Sequence, residues 1–210
     1  MNLTTRRTEG ATWKDIAALV AAGSLKVGDQ IEDELLTGEK MVYEVAHITE
    51  DRMDFISRDT MAERFTWNEN GRNTGGFKKS DLCKALNEKV WEQLPEELKA
   101  VICERECIQV VDGEEEKFML KLWLPSECEV FGEEWFSDAK EGEQLEIFKD
   151  PRNRIKMGGH GGSRAIWWLL SVYGGYSTSA CNVDSYGLAD SSGCTNDFRV
   201  PLCFSIKIKE

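Results

Sequence analysis

The stretch from Ile166 to Ile208 constrains the fold of this chain more than any other. It opens with an apolar, aromatic run, Ile166 to Leu170, and closes with a second, Val200 to Ile208. Both have the composition of buried strands, because aromatic and β-branched side chains suit a pleated surface with a covered face. Between them, Ser171 to Arg199 contains no Lys, Glu, Gln, Met or Trp, where the chain's own Lys-plus-Glu rate would give roughly five. The expected arrangement is a rigid frame holding a long irregular segment, the place where binding residues usually sit. Tyr, Ser, Gly and Asn dominate that segment, and antibody loops favour the same residues for adaptable, low-entropy contacts. The same letters also compose a plain Gly/Ser/Asn loop without a ligand.

The rest of the chain limits what the frame can serve. With 210 residues, 41% of them hydrophobic, and seven Trp, it reads as a single globular domain over residues 1–210. Its net charge of −12 argues against nucleic acid and anionic membranes as partners. Two arginines near the N-terminus precede a short apolar run, but Glu9, Lys14 and Asp15 interrupt it. No secretory signal is expected there, nor a membrane span elsewhere. The chain is therefore expected to be made in the cytoplasm and, if exported, to leave by assembly into a particle or by a signal-less route. Seven cysteines without a CxxC pair and only two histidines predict no metal site and no cofactor, with buried free thiols as the default. A Cys181–Cys194 bridge remains the alternative, disfavoured in a reducing compartment.

In order, residues 12–150 read as a scaffold. Thr12 caps a helix ending near Gly23, with Ile16, Leu19 and Val20 inward. Two strands turn at Thr37-Gly38, and Asp51 to Ser57 adds another. Thr66 to Phe77 is a turn-rich surface loop. Ser80 caps a helix carrying Leu82, Leu86 and Val90, and Pro95 at the first position starts the next, through Ile102. Glu106 to Leu124 is a hairpin with DGEEEK at its tip, and short helical turns follow at Pro125 to Phe131 and Glu143 to Asp150. Asn153 to Arg164 is a flexible approach to the central stretch. His160 within it is a solvated histidine, and His47 a hydrogen-bonded structural one. No catalytic residues are assigned, since no Walker loop, GxGxxG or GxSxG signature is present.

The phrases TWKDIAALVAAG, KVGDQ, GGFKKSDLCKALNEKVWEQLPEELKAVI, LPSECEVFG, EQLEIFKDPRNRIK, WWLLS, ACNVDSYG and FRVPLCFSI, taken together, resemble a family of bacterial and phage proteins of unknown function. The C-terminal part of that family is similar to a C-type-lectin-like fold of the formylglycine-generating-enzyme type. The resemblance implies an α+β chain with core strands in 166–208 and a ligand-binding segment over 171–199. Some members of the family are variable proteins of diversity-generating retroelements, in which an error-prone reverse transcriptase rewrites adenines. The AAC and AAT codons it scatters cannot reach Lys, Glu, Gln, Met or Trp. By this resemblance the hypervariable positions are Tyr173, Gly175, Tyr176, Ser179, Asp184, Tyr186, Leu188, Asp190, Ser191, Ser192, Gly193 and Phe198, with Arg199 beside them. Cys181, Val183, Gly187 and Ala189 match the framework.

The expected function is ligand binding through a diversified surface, with an unknown protein or glycan ligand, for example on a host cell. A fixed carbohydrate-binding lectin-like domain is the alternative. An enzyme using Cys181 and Cys194, as the formylglycine-type fold suggests, ranks last, because fold is poor evidence for function.

Overall fold

The computed structural model describes residues 12–208. The export-signal reading falls mainly on residues 1–11, outside the described ones. The first element starts where its cap predicts. The Asp15 N–H donates to the Thr12 hydroxyl at 3.3 Å and the Thr12 N–H to the Asp15 carboxylate at 2.7 Å, a capping box opening α1 (Trp13–Ala21). The buried stripe is Trp13, Ile16 and Val20. Leu19 lies off that stripe and is exposed, correcting the expected apolar face.

Five antiparallel strands make the main sheet: β1 (Gln30–Glu34), β2 (Lys40–Ile48), β3 (Arg52–Ser57), β12 (Cys203–Lys207) and β5 (Ile102–Cys103), in that spatial order. Gly38, at φ 85°, makes the β1–β2 turn that Thr37-Gly38 predicts. The apolar run near the C-terminus thus lies inside the sheet, with Phe204 opposite Phe55 and Ile206 opposite Met53. The Phe204 ring meets Trp13 edge-on at 5.7 Å and Tyr43 at 5.0 Å, and stacks on Phe55 at 5.3 Å. A β-bulge separates Val45 from His47 and breaks the side-chain alternation there. The Nδ1 of His47 is buried without a hydrogen-bond partner, so the expectation of a hydrogen-bonded histidine fails.

Ser80 caps α2 (Asp81–Ala85), which runs on through a π turn, Leu86–Val90, and a 3₁₀ turn, Trp91–Gln93. Leu82, Leu86 and Val90 are all buried. Pro95 is the extended N-cap of α3 (Glu96–Lys99) rather than its first residue. That helix stops early because Ile102 and Cys103 are taken into the sheet beside Ile206 and Ser205. In the next hairpin, β6 (Arg105–Val111) with β7 (Glu114–Leu120), only Asp112 and Gly113 form the turn. Both have positive φ, so the rest of the acidic run belongs to β7. Ser126 and Glu129 make a second capping box for α4 (Glu127–Phe131), which ends at left-handed Gly132.

The approach to the central stretch is not loose. Lys156 is fully buried, donating to the Ser57 carbonyl at 2.7 Å and the Arg58 carbonyl at 3.2 Å. Two bridges, Thr60 with Gly158 and Met157 with Arg164, pin the chain on either side. His160 at the tip is exposed.

The largest correction concerns Ser171 to Arg199, which is not one long irregular segment. β8 (Trp167–Val172), β9 (Ser179–Val183) and β10 (Ala189–Gly193) form a three-stranded antiparallel sheet with β9 central. A short β11 (Asp197–Phe198) pairs with β4 (Phe65–Thr66). The Trp168 indole reaches the Phe65 carbonyl at 2.8 Å and the Trp67 indole the Leu169 carbonyl at 3.2 Å. These bonds tie the second sheet to the 65–68 strip. The fold is mixed α and β, mostly strand, and one continuous core runs from Trp13 to Ile206.

Candidate functional site

The strands divide the segment into two exposed loops and an edge. The first loop, residues 173–178, joins β8 to β9. Its conformation is held by Asn73, whose amide donates to the carbonyls of Ser179 at 2.8 Å, Tyr176 at 2.9 Å and Tyr173 at 3.5 Å. The Asn73 N–H also donates to the Ser177 carbonyl at 2.9 Å. All of these bonds end on main-chain oxygens, so the loop's side chains stay free of the clamp. Tyr173 and Tyr176 have ring centroids 5.1 Å apart, and Phe136 meets Tyr173 edge-on at 5.6 Å. A recess of about 390 Å³ lies beside them, walled by Tyr173, Tyr176, Asn73, Asp138 and the Asp112-Gly113 turn.

The second loop joins β9 to β10. Asp184 accepts the N–H groups of Tyr186 at 2.8 Å and Leu188 at 2.9 Å through one carboxylate oxygen, the self-bonding that makes aspartate a turn former. Gly187 takes φ 84°, which a side chain would strain. This turn presents Tyr186 and Leu188 at 69% and 63% exposure; Tyr176, on the first loop at the other end of β9, is 62% exposed.

β10 is the open edge of its sheet, and Asp190 to Gly193 are half-exposed along it. The Asp190 carboxylate accepts its neighbour Ser191's N–H at 2.8 Å, which occupies one edge donor in the way natural edges discourage pairing. Ser179 is half-buried opposite Gly193. Phe198 and Arg199 lie elsewhere. Phe198 covers Trp168 at 4.8 Å, while the Arg199 Nε donates to the Ala62 carbonyl at 3.3 Å. Both are half-buried against the frame.

Between the two loops lies a strip that the sequence reading did not single out, residues 133–138. Glu127, fully buried, accepts the N–H groups of Trp135 at 3.0 Å, Phe136 at 3.0 Å and Ser137 at 2.8 Å, and the Ser137 hydroxyl at 2.7 Å. It thereby sets Trp135, 65% exposed, next to Leu188. Asn73 and Glu127 are the residues sequence reasoning missed. A weak signal for Asn73 exists in the run of turn formers around it, but its bonding partners lie about a hundred residues away.

All seven cysteines are free. Burial pushes the Cys181 thiol well above its ordinary range and Cys194 to about 11, so neither is a thiolate near neutrality. Among the described residues no group of three or more His, Cys, Asp or Glu is placed to hold a metal ion. A groove of about 460 Å³ lies between β1, β2 and His160, and none of the predicted residues lines it.

The structure therefore defines a mixed α and β protein whose second sheet carries two aromatic loops on a fixed frame; among the described residues, no helix is long and apolar enough to cross a membrane. Residues 52–208 match the family described as Domain of unknown function (DUF6273), and the chain belongs to that family. It matches neither a curated protein nor a solved structure.

Proposed function

We propose that this protein binds a ligand through a diversified surface on a C-type-lectin-like frame, as a variable protein of a diversity-generating retroelement. The setting would be a phage tail or a bacterial surface. The observation that carries this reading is how the segment's glycines divide. Gly193, assigned as variable, has room for a side chain, since a Cβ there would meet nothing nearer than 4.0 Å; at Gly175, also assigned as variable, a Cβ would come within 3.2 Å of the Tyr173 ring, a half-exposed side chain that can shift. Gly187, assigned as framework, would put a Cβ 2.9 Å from Ile155 and takes φ 84°, which a side chain would strain. The exposed Tyr176, Tyr186 and Leu188 fit the same division, while Cys181 and Val183 are buried. Aromatic anchors of this kind dominate interface energetics.

Sequencing the DNA around the gene tests the reading. The expected result is a near-copy of the codons for Tyr173 to Arg199, differing only where the copy has adenine, beside a reverse-transcriptase gene. Finding neither would overturn diversification and leave a fixed binder on the same surface.

A further inference from the structure

A pocket of about 370 Å³ opens beside Leu188, lined by Phe131, Glu133, Trp135, Arg154, Leu188 and Ala189. Most of its wall is apolar, and its two exposed apolar members, Trp135 and Leu188, are preset. The four donors to Glu127 fix the backbone under Trp135, and the Asp184 turn fixes Leu188. An indole held out in water on a fixed backbone loses little freedom when something covers it.

The pocket also holds a cation short of partners. The Arg154 guanidinium lies over the Phe131 ring at 4.9 Å and gives one hydrogen bond, to the Phe148 carbonyl at 3.2 Å. Its Nε is buried with no partner, and among the described residues no carboxylate pairs with it. A guanidinium carries five donors in a planar fork suited to carboxylate. Such a cation beside an apolar wall selects a ligand that joins both features. Glu133 on the rim opposes an anion elsewhere in the pocket, which confines the charge to the Arg154 side. Ala189 is both a wall of the pocket and the first residue of β10, the open edge of its sheet. An extended chain ending in the pocket would meet the edge-facing backbone of Ala189, short of the Ser191 donor that Asp190 occupies.

We propose that this pocket binds the C-terminus of a polypeptide partner, its carboxylate on Arg154 and its last, apolar side chain between Trp135 and Leu188. The inference goes beyond the surface reading above, because Trp135 and Arg154 lie outside the segment and the pocket does not require diversification. Leu188 would tune which terminal side chain fits, while Trp135 and Arg154 stay constant.

The test is titration of the full chain with the peptide acetyl-Ala-Ala-Phe bearing a free carboxylate, and with the same peptide amidated, read by calorimetry. The acid should bind about tenfold or more tightly than the amide, as a charge-assisted bond to arginine predicts. Arg154→Gln should abolish that preference, Arg154→Lys should keep part of it, and Trp135→Ala should weaken both forms. Equal affinities of acid and amide for the unmodified chain would overturn the proposal, and that comparison needs no variant to fold. No binding of the acid at millimolar concentration would overturn it too. So would 3-phenylpropionate binding as tightly as the peptide, because the occupant would then be a small acid. Tyr176→Ala and Tyr186→Ala, outside the pocket lining, should leave peptide affinity unchanged. Failure here therefore leaves the diversified-surface reading standing on its own test.

Discussion

Glu141 sits almost out of reach of water, 2% exposed. One carboxylate oxygen accepts the Val110 N–H at 2.7 Å and the other the Ser171 hydroxyl. Burial pushes its pKa up from 4.5 to about 7; the Ser171 and Val110 bonds pull it down, and nearby Glu129 and Glu127 push it further up. The folded chain thus holds this proton more tightly than the unfolded chain does. The stability so gained is complete below about pH 4.5 and is lost as pH rises through about 7. Glu141→Gln keeps the shape and removes the titration. At pH 8 the variant should be more stable than the parent by up to about 3 kcal/mol, and at pH 4.5 nearly equal to it. Urea midpoints of both proteins at the two pH values measure this. A difference independent of pH would show that another group carries the titration.

At the scale of elements, Asn73 turns a surface loop into a brace. Asn73→Ala removes every donor that its side chain gives to the carbonyls of Tyr173, Tyr176 and Ser179. Each of those carbonyls also accepts a main-chain N–H within the loop, so a local loss of about 0.5–1.5 kcal/mol is expected from the lost hydrogen bonds. Hydrogen exchange should show it as faster exchange over 173–179 with little change in β2 and β3; uniform acceleration across the main sheet would refute a local role. That brace was illegible in the sequence, and so were β9 and β10. The legible elements announce themselves locally: Thr12 with Asp15, Ser80 before Leu82, Thr37-Gly38 between alternating strands. The strands Ser179–Val183 and Ala189–Gly193 do not, because Ala, Cys, Asn, Ser and Gly suit strands poorly. β9 is also buried almost throughout, and β10 is half-exposed along its whole length, so neither shows the two-residue period that marks a strand. Pairing with Trp167 and Trp168 of β8 makes β9 a strand. Of the candidate surface, the exposed tyrosines and Leu188 were readable from composition and resemblance. Their supports, Asn73 and Glu127, were not, because those residues act across the fold.

The molecule as a whole separates holding from displaying. The fixed supports reach the segment through its backbone: Asn73 bonds carbonyls on the first loop, and Glu127 bonds amides in the neighbouring strip. Side chains over the two loops can then change without loosening the frame. The same logic divides the thirteen predicted positions. Tyr173, Gly175, Tyr176, Tyr186, Leu188 and Asp190 to Gly193 lie on the loops or the open edge, while Ser179 begins the central strand. Asp184, by contrast, holds its own turn, Phe198 seals Trp168, and Arg199 packs on Gly158 and Ala62. Consider a displayed library of this chain, randomised one position at a time and selected only for protease resistance. Loop and edge positions should accept most residues, with changes within about 0.5 kcal/mol. Asp184 should survive mainly as Asp, Asn or Ser, since losing the turn's acceptor costs roughly 1–2 kcal/mol. Phe198 should retain large apolar residues because a smaller one uncovers the indole, and Gly187, at φ 84°, should stay glycine. Deep sequencing of survivors reads these preferences directly. If Phe198 and Asp184 tolerate substitution as freely as Tyr176 and Tyr186, frame and surface are not separable and the division drawn from burial fails. If instead the loop positions prove as restricted as Gly187, the exposed aromatics belong to the fold, and the case for a diversified surface loses its structural basis.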